Sequence, residues 1–252
     1  MPADQDREST AQAARILELL WRESLPSKPG ARGPKPALTV DDVVAAAVAL
    51  ADCDGLAKLT IRAVATRLGL RAMSLYTYVP SKDALIVLMV DAVAATDPPI
   101  PADLPVRERM IAVATRIRSE LIEHPWLLEV SPWRQTLGPA RTRRYEHQLA
   151  AIEGVGLSDL AMDRAIAVLT DFATGNARLA VAAAAAAAQL SDARWWEVVG
   201  PLLARVMPAD RFPLAGRVGT AVGEHYQAPA DPEGAFDYGV ALLVDGILAD
   251  VR

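Results

Sequence analysis

One stretch of the chain, residues 59–85, combines arginine, lysine, tyrosine and hydroxyl side chains with a glycine and a proline. It reads LTIRAVATRLGLRAMSLYTYVPSKDAL. Arginine can bond guanine O6 and N7 together, and the methyl groups of alanine or threonine can contact a thymine methyl. Hydroxyl and ammonium groups bind phosphate oxygens, which orients a protein on DNA without reading its bases. These residue types therefore indicate nucleic-acid binding.

Short helices are predicted to position these side chains. A core helix capped by Thr39 comes first. Thr60 is a suitable N-cap for the next helix, and Gly69 allows the tight turn that ends it. A third helix is expected at about residues 71–78, and Ser81 caps a fourth that runs to about residue 95. Two helices joined by a tight turn, the second of them exposed, form the arrangement that places a helix in the DNA major groove.

The helix at 71–78 is predicted to bury Leu75 and Met73 and to turn its other side to DNA. The candidates for base contacts are Arg71, Ala72, Ser74 and Thr77. The candidates for phosphate contacts are Thr60, Tyr76, Tyr78 and Lys82. In the alternative interpretation, the two tyrosines are ordinary half-buried aromatics of a small helical core.

The charge distribution suits DNA binding, although the whole chain has a net charge of −5. Residues 28–82 hold eight arginines and lysines against four aspartates, a net charge of +4, and include all four lysines of the chain. Phosphate binding needs a basic face rather than a basic protein. Within this window, the segment 26–37 is broken by proline and glycine and is either an inert linker or a flexible minor-groove arm. The arm would use Lys28, Arg32 and Lys35.

The remaining composition limits the classes of protein that the chain can belong to. It contains no run of about 18 uncharged apolar residues, so no membrane span is predicted. Asp4, Asp6 and Glu8 near the N-terminus are unlike a secretory signal. The single cysteine, Cys53, excludes an internal disulfide and a multi-cysteine metal site. We therefore expect a cytoplasmic protein with no metal ion or other cofactor and no membrane partner.

Residues 38–85 resemble the TetR family of bacterial transcriptional regulators. The likeness covers LTVDDVVAAAVALADCDGLAKLTIRAVATRLGLRAMSLYTYVPSKDAL, in which the LYTYVPSKDAL run is specific. It implies phosphate contacts at the four phosphate candidates and base contacts at Arg71, Ala72 and Ser74. Val79 departs from the family pattern, because an aromatic residue is common there. We expect this departure to affect core packing and to leave the DNA role intact.

A weaker resemblance to the C-terminal domain of tetracycline-repressor-like members covers the rest of the chain. It is carried by HPWLLEV at 124–130, by Gly138–Pro139 and by FDYGVALLVDGILADV at 236–251. It implies an all-α protein with an N-terminal three-helix helix-turn-helix DNA-binding domain and a C-terminal helical ligand-binding and dimerisation domain. The expected divisions are an N-terminal helix and basic linker at 1–37, the helix-turn-helix domain with the start of the connecting helix at 38–95, and the effector-binding and dimerisation domain at 96–252.

Apolar periodicity supports the all-α prediction along the whole chain. It indicates helices at 8–24 and near 105–123, 139–153, 158–190, 192–206, 213–226 and 232–251, with no strand-like alternation of useful length. In the resembled family, the helices corresponding to 158–190 and 232–251 pack against their copies as a four-helix bundle. The predicted interface is the apolar stripe Phe236, Val240, Leu243, Val244, Ile247 and Leu248. A core within one chain would show the same stripe.

An effector pocket is expected between the fourth helix and those that follow, since ligand pockets are mostly apolar with few polar anchors. The lining candidates are Met89, Met110, Trp126, Trp133, Tyr145 and Phe172. The anchor candidates are His124, Arg134, His147, Asp171 and Asn176. For each of these residues a purely structural contact is the alternative.

The leading hypothesis is a homodimeric, ligand-responsive regulator of transcription. It would be a repressor that binds double-stranded DNA at a palindromic operator and is released by a small apolar effector, although activation stays open. The alternative is a helical small-molecule carrier, sensor or enzyme without DNA binding. Against an enzyme, the chain has three histidines, no nucleophile and base at telling spacing, and no phosphate-binding glycine loop.

Overall fold

A computed structural model describes residues 2–25, 38–96, 98–131, 137–208 and 210–251, with backbone alone for 2–9. These ranges contain eleven α-helices, two short 3-10 helices and no strand, so the all-α prediction is confirmed. The α-helices are α1 Pro2–Leu20, α2 Val40–Asp54, α3 Ile61–Arg67, α4 Ala72–Leu75, α5 Lys82–Ala94, α6 Val106–Glu123, α7 Pro139–Ile152, α8 Asp159–Gln189, α9 Asp192–Val206, α10 Pro213–Tyr226 and α11 Pro232–Ala249. The 3-10 helices are Leu56–Lys58 and Pro125–Glu129. None of these helices is long and apolar enough to cross a bilayer.

The chain divides into two compact units. The first unit comprises Met1–Leu104 and Glu123–Glu153, and the second comprises Pro105–Ile122 and Gly154–Arg252. In this grouping α7 and the 3-10 helix before it belong to the first unit, although they follow the division predicted between residues 95 and 96.

The first unit has a continuous apolar core to which α1 to α5 all contribute. The helices contribute Leu20 of α1, Val43, Val44, Ala47 and Ala51 of α2, Val64 and Ala65 of α3, Leu75 of α4, and Leu85, Leu88, Met89, Val90 and Val93 of α5, and Leu59, Val79 and Trp126 join them from outside these helices. Helix α2 begins with a capping box, in which Asp42 N–H donates to the Thr39 hydroxyl at 3.1 Å. The Thr39 hydroxyl and backbone N–H both donate to the Asp42 carboxylate, which lowers the pKa of that carboxyl below its ordinary value.

Helix α7 is fixed to α5 by a buried carboxylate. Asp91 is 8% exposed and accepts hydrogen bonds from the N–H groups of Arg141, at 2.9 Å, and Ala140, at 3.4 Å. These are free donors of the first turn of α7, which favours a negative charge there. A Cβ on Gly138 would lie 2.3 Å from this carboxylate, so glycine permits the close approach. The segment just before α7 is also held by Trp21, the residue after α1, which donates its Nε1–H to the Leu137 carbonyl at 2.6 Å.

The second unit is organised around the 31-residue helix α8, which packs on α11. Phe172 of α8 and Phe236 of α11 stack with ring centroids 5.8 Å apart. The buried Arg118 of α6 lies over the Phe236 ring, donates to Asn176 Oδ1 at 2.6 Å and forms an ion pair with Glu233. A buried guanidinium needs such partners, because an unpaired buried charge is strongly unfavourable.

Candidate nucleic-acid interface

The turn between α3 and α4 is built as the sequence predicts. The Thr60 hydroxyl accepts from Ala63 N–H at 3.1 Å and so caps α3. Gly69 has a φ of 69°, in the left-handed region that favours glycine. The Leu70 N–H then donates to the Ala65 carbonyl at 2.8 Å, which reverses the chain within a few residues. This short connection fixes the start of α4 against α3.

Helix α4 is shorter than expected. It covers Ala72–Leu75 rather than about 71–78, and residues 76–78 form a turn. The N–H of Tyr78 donates to the carbonyl of Leu75 at 2.9 Å, three residues back, so the last turn is tightened. The following proline explains this, because Pro80 disfavours helical backbone at Val79. Leu75 and Val79 are both fully buried and anchor the element to the core.

The base-contact candidates lie mostly on the outside of α4 and its flanks. Arg71, Ser74 and Thr77 are exposed, and Ala72 is half-buried. The Thr77 hydroxyl donates to the Ser74 carbonyl at 2.7 Å, which orients its methyl group. The outward face therefore offers the guanidinium of Arg71, the hydroxyl of Ser74 and the methyl groups of Ala72 and Thr77. All of these groups can contact base edges.

Met73 is a correction. The sequence predicts that Met73 is buried with Leu75, but its side chain is 77% exposed. Two residues along an α-helix correspond to a rotation of about 200°, so Met73 and Leu75 lie on opposite faces. Since Leu75 points into the core, Met73 must point away from it. This spacing was available in the sequence and adds an apolar side chain to the base-contact candidates.

The phosphate-contact candidates surround this face. Tyr76 is 48% exposed and is not among the residues packed on the core of the first unit, so its hydroxyl stays a candidate for a phosphate contact. Tyr78 is half-buried and packs against the core, so the alternative interpretation as a core aromatic fits it better. Lys82 is half-buried at the first position of α5, and Ser81 caps that helix by accepting from Ala84 N–H at 3.1 Å. Thr60 is exposed at the start of α3.

Two cations that the sequence analysis did not assign join this surface. Arg62 and Arg67 of α3 are exposed. The guanidinium groups of Arg62 and Arg67 have no ion-pair or hydrogen-bond partner among the described residues. The guanidinium of Arg71 and the ammonium of Lys82 also have none there. By contrast, Lys58 is paired with Asp54 at 3.2 Å. We define the DNA face as the set Thr60, Arg62, Arg67, Arg71, Ala72, Met73, Ser74, Tyr76, Thr77, Tyr78, Ser81 and Lys82.

Several predicted residues lie outside the described part of the chain. These are the arm candidates Lys28, Arg32 and Lys35 and the pocket candidates Trp133 and Arg134. Their roles stay predictions.

The described pocket candidates are divided between the two units. Met89, His124, Trp126, Tyr145 and His147 belong to the first unit. Trp126 and Met89 are buried in its core, and Trp126 Nε1–H donates to Asp52 at 2.7 Å. His124 Nδ1 also lies 2.7 Å from Asp52, so Trp126 and His124 hold the 3-10 helix Pro125–Glu129 to the end of α2. These contacts are structural.

The other members differ in what they contact. Tyr145 is 39% exposed, and the buried Nδ1 of His147 has no hydrogen-bond partner within the described ranges. In the second unit Met110 is buried and Asp171 is exposed, while Phe172 and Asn176 join the Arg118 cluster. Among the anchor candidates, His147 thus keeps an unsatisfied polar atom that a ligand could satisfy.

The predicted interface stripe on α11 also needs correction. Phe236, Val240 and Val244 are at most 3% exposed within a single chain, because α11 packs on α8. These three residues belong to the intrachain core and have no surface for a second chain. Leu243, Ile247 and Leu248 are half-buried, and their interface role stays a prediction.

Two models of known protein families match the chain. The model for bacterial regulatory proteins of the tetR family matches residues 43–89, and the model for the tetracyclin repressor-like C-terminal domain matches residues 100–251. The second match alone covers more than half of the chain. The chain belongs to the TetR family. The TetR resemblance is thereby confirmed, and with it the prediction of a DNA-binding transcriptional regulator.

Proteins similar to this chain support the same assignment over most of its length. The HTH-type transcriptional repressor DrrR1 of Streptomyces coeruleorubidus is 37% identical over 239 residues, covering 93% of this chain and 85% of that protein. An HTH-type transcriptional regulator of Saccharopolyspora erythraea is 32% identical over 216 residues, covering 85% and 86%. Apo ActR of Streptomyces coelicolor superposes with a TM-score of 0.70 at 25% identity, over 85% of this chain and 96% of ActR. The alternative of a carrier or enzyme without DNA binding is not favoured.

Proposed function

We propose that this TetR-family chain is a repressor that binds a palindromic operator as a homodimer and leaves it when a small apolar effector binds. The observation that carries the proposal is the DNA face. It combines an exposed α4, the capped starts of α3 and α5, and four cations without partners among the described residues. In this proposal the protein acts in the cytoplasm, where the bacterial chromosome lies, and acts by binding rather than by catalysis.

The exposed face of α4 would read bases, and the surrounding groups would bind phosphates. Arg71 and Met73 are the strongest base candidates, because a guanidinium recognises guanine and an exposed apolar side chain suits a thymine methyl. The remaining cations and hydroxyl groups would fix the position of α4 on the duplex. In a twofold dimer, two copies of α4 would enter successive major grooves about 34 Å apart.

Apolar side chains left exposed on α8 and α11 support dimerisation. Tyr238 is 71% exposed and Leu242 is 55% exposed on the side of α11 that does not pack on α8, and Val168 of α8 is also exposed. Burial of such groups against a second chain would be favourable. We therefore transfer the interface prediction from the buried residues of α11 to these exposed ones.

A small-molecule effector is supported by ActR, which has been solved in complex with actinorhodin and with (S)-DNPA. We propose that His147, with its unsatisfied Nδ1, is one polar anchor for such a molecule in this chain. The effector would release DNA only if it binds the released conformation more tightly than the DNA-bound one.

The test is selection of bound fragments from random DNA, followed by fluorescence anisotropy with the enriched site. We expect a twofold-symmetric site. Arg71→Ala should weaken binding by about 1–3 kcal/mol and relax the preference at one base pair in each half-site. Arg205→Ala is the matched control, since Arg205 is an exposed arginine of α9 with no partner among the described side chains.

Two outcomes would reject the proposal. If no sequence is enriched and no DNA is retained at low salt, the DNA role fails. If the site is bound but a reporter gene downstream of it is activated, repression fails while DNA binding stands.

A further inference from the structure

We propose that α1, which precedes the family's DNA-binding helices, enlarges the DNA face and that Arg15 on this helix binds a backbone phosphate. The inference rests on the proposed DNA-binding function. Three observations carry it: the fixed docking of α1 on the first unit, the location of Arg15 beside Ser81, and the absence of a protein partner for its guanidinium in the described ranges.

Helix α1 is held in place by its apolar side. Leu20 is 5% exposed, and Ile16, Leu19 and Trp21 pack against the core of the first unit. Residues 16, 19 and 20 share one face of a helix, so this side is turned toward α5. Arg22 reinforces the docking by forming an ion pair with Asp41 of α2, and its local hydrogen bond to the Leu19 carbonyl at 3.0 Å caps the end of α1. Because this end of α1 is held in place, the position of Arg15, one residue before Ile16, is fixed relative to the first unit.

The same docking brings α1 beside the DNA face. Four residues of α1 and two residues of the turn before α5 line a cleft of about 310 Å³: Ala11, Gln12, Arg15, Ile16, Pro80 and Ser81. Ser81 and the adjoining Lys82 already belong to the DNA face. A phosphate bound there would lie next to the wall of the cleft that Arg15 forms.

Arg15 is available for such a contact. Its side chain is exposed, and no described side chain or backbone group pairs with it. Arg22, seven residues on, is committed to Asp41. Glu18 on α1 is the described carboxylate closest in sequence to Arg15, and Asp83 on α5 is the one closest to Ser81. Neither side chain lines the cleft. An arginine in this position would therefore meet a negatively charged ligand without first breaking an ion pair, and DNA phosphate is the anion that the neighbouring residues suit.

The salt dependence of operator affinity tests the inference, because each phosphate contact contributes about 0.9 to the slope of log K against log salt. Arg15→Ala removes two contacts from a dimer, so the slope should fall in magnitude by about 1.8, and affinity should drop most at low salt. Arg15→Lys should retain most of the slope, since the positive charge remains. Arg164→Ala, which removes an exposed and unpartnered arginine of α8, should leave the slope unchanged.

Thermal unfolding of each variant completes the experiment. Because Arg15 is exposed, Arg15→Ala should unfold at the wild-type temperature. An unchanged slope for Arg15→Ala would overturn the inference, whether or not the affinity falls, because weaker binding at constant slope indicates an indirect effect. Failure of the wild-type protein to bind its selected site would instead refute the proposed function.

Discussion

The helices that carry the DNA face and the α9–α10 pair differ in what covers their apolar side chains. Each of α2 to α5 contributes residues to one buried core. Helix α9 contributes no buried residue, and α10 contributes only Gly223. Both regions show amphipathic helical patterns in the sequence. An amphipathic pattern therefore shows that one side of a helix is suited to burial. It does not show whether the same chain or a second one buries that side.

The α9–α10 pair is nonetheless internally ordered. Trp196 lies against Gly200 and Gly223, and the terminal methyl of Met207 approaches Gly216. Its outer apolar residues are exposed: Val198, Leu202, Leu203 and Val206 on α9, and Leu214 and Val218 on α10. Single exposed apolar residues are normal on a protein surface, but six on two neighbouring helices indicate a face that another chain could cover. The two regions should therefore respond differently to truncation of a leucine.

The largest expected effect is the loss of a core leucine in the first unit. Leu85 is fully buried, so Leu85→Ala should reduce the free energy of unfolding by about 2–5 kcal/mol. Leu202 of α9 is 44% exposed, so Leu202→Ala should stay within about 0.5 kcal/mol of wild type in the monomer. Urea titration followed by circular dichroism measures both.

The same titration, repeated over a range of protein concentrations, sharpens the contrast. If Leu202→Ala lowers the free energy of unfolding only at high protein concentration, another chain covers α9. If the two variants cost the same at every concentration, the contrast between the regions is wrong.

A smaller effect is expected at the contact that orders the α9–α10 pair. A Cβ on Gly223 would lie 2.0 Å from the Trp196 ring, so the ring or the helix must shift, and Gly223→Ala should destabilise by about 1–3 kcal/mol. Gly219, one turn earlier on α10, faces open space. Gly219→Ala should therefore stabilise by roughly 0.8–1 kcal/mol through helix propensity. Equal and favourable shifts in melting temperature for both variants would show that Trp196 does not pack there.

Local signals in the sequence were sufficient for most of the fold. The N-caps Thr39, Thr60 and Ser81 each accept the expected backbone hydrogen bond, and Gly69 has the positive φ that its turn requires. These interactions span three or four residues, so they are readable without knowledge of tertiary contacts. Most members of the DNA face could be proposed from the sequence for the same reason, because its side chains follow one another along α3, α4 and α5, but Arg62, Arg67 and Met73 were added only after their exposure was known.

The sequence was less informative where distant segments meet. The intrachain burial of Phe236 depends on Phe172 and Arg118, which are separated from it by 64 and 118 residues, and periodicity does not reveal such partners. Trp126 is predicted to line a pocket because it is a large aromatic residue, but its side chain is 1% exposed and packs in the core of the first unit. Met73 was a different error, since the helical rotation between it and Leu75 was sufficient to place it outside.

The smallest effect concerns two carboxylates, one in each unit. Hydrogen bonds from Thr39 lower the pKa of Asp42, and the hydrogen bond from Arg107 lowers the pKa of Asp245. A lowered pKa in the folded state means that the stabilisation is fully present above the ordinary value of about 4 and is lost as the pH falls through the lower folded value. Each carboxylate should therefore protect its own helix at neutral pH and lose that effect in acid.

Hydrogen exchange, corrected for intrinsic rates, separates the two helices that these carboxylates protect. Asp42→Asn should reduce protection of the first amides of α2 between pH 5 and 7, and the difference from wild type should shrink only as the pH falls through the lowered pKa of Asp42, below the ordinary carboxyl value, where wild-type Asp42 becomes neutral as well. Asp245→Asn is the matched control: it should leave α2 unchanged and alter α6 and α11, where Arg107 and Asp245 lie. If the Asp42→Asn difference does not diminish at any pH down to the acid unfolding of the protein, the carboxylate charge is not what stabilises the start of α2. The capping box would then depend on the Thr39 hydroxyl alone, and the acid response would not distinguish the two units.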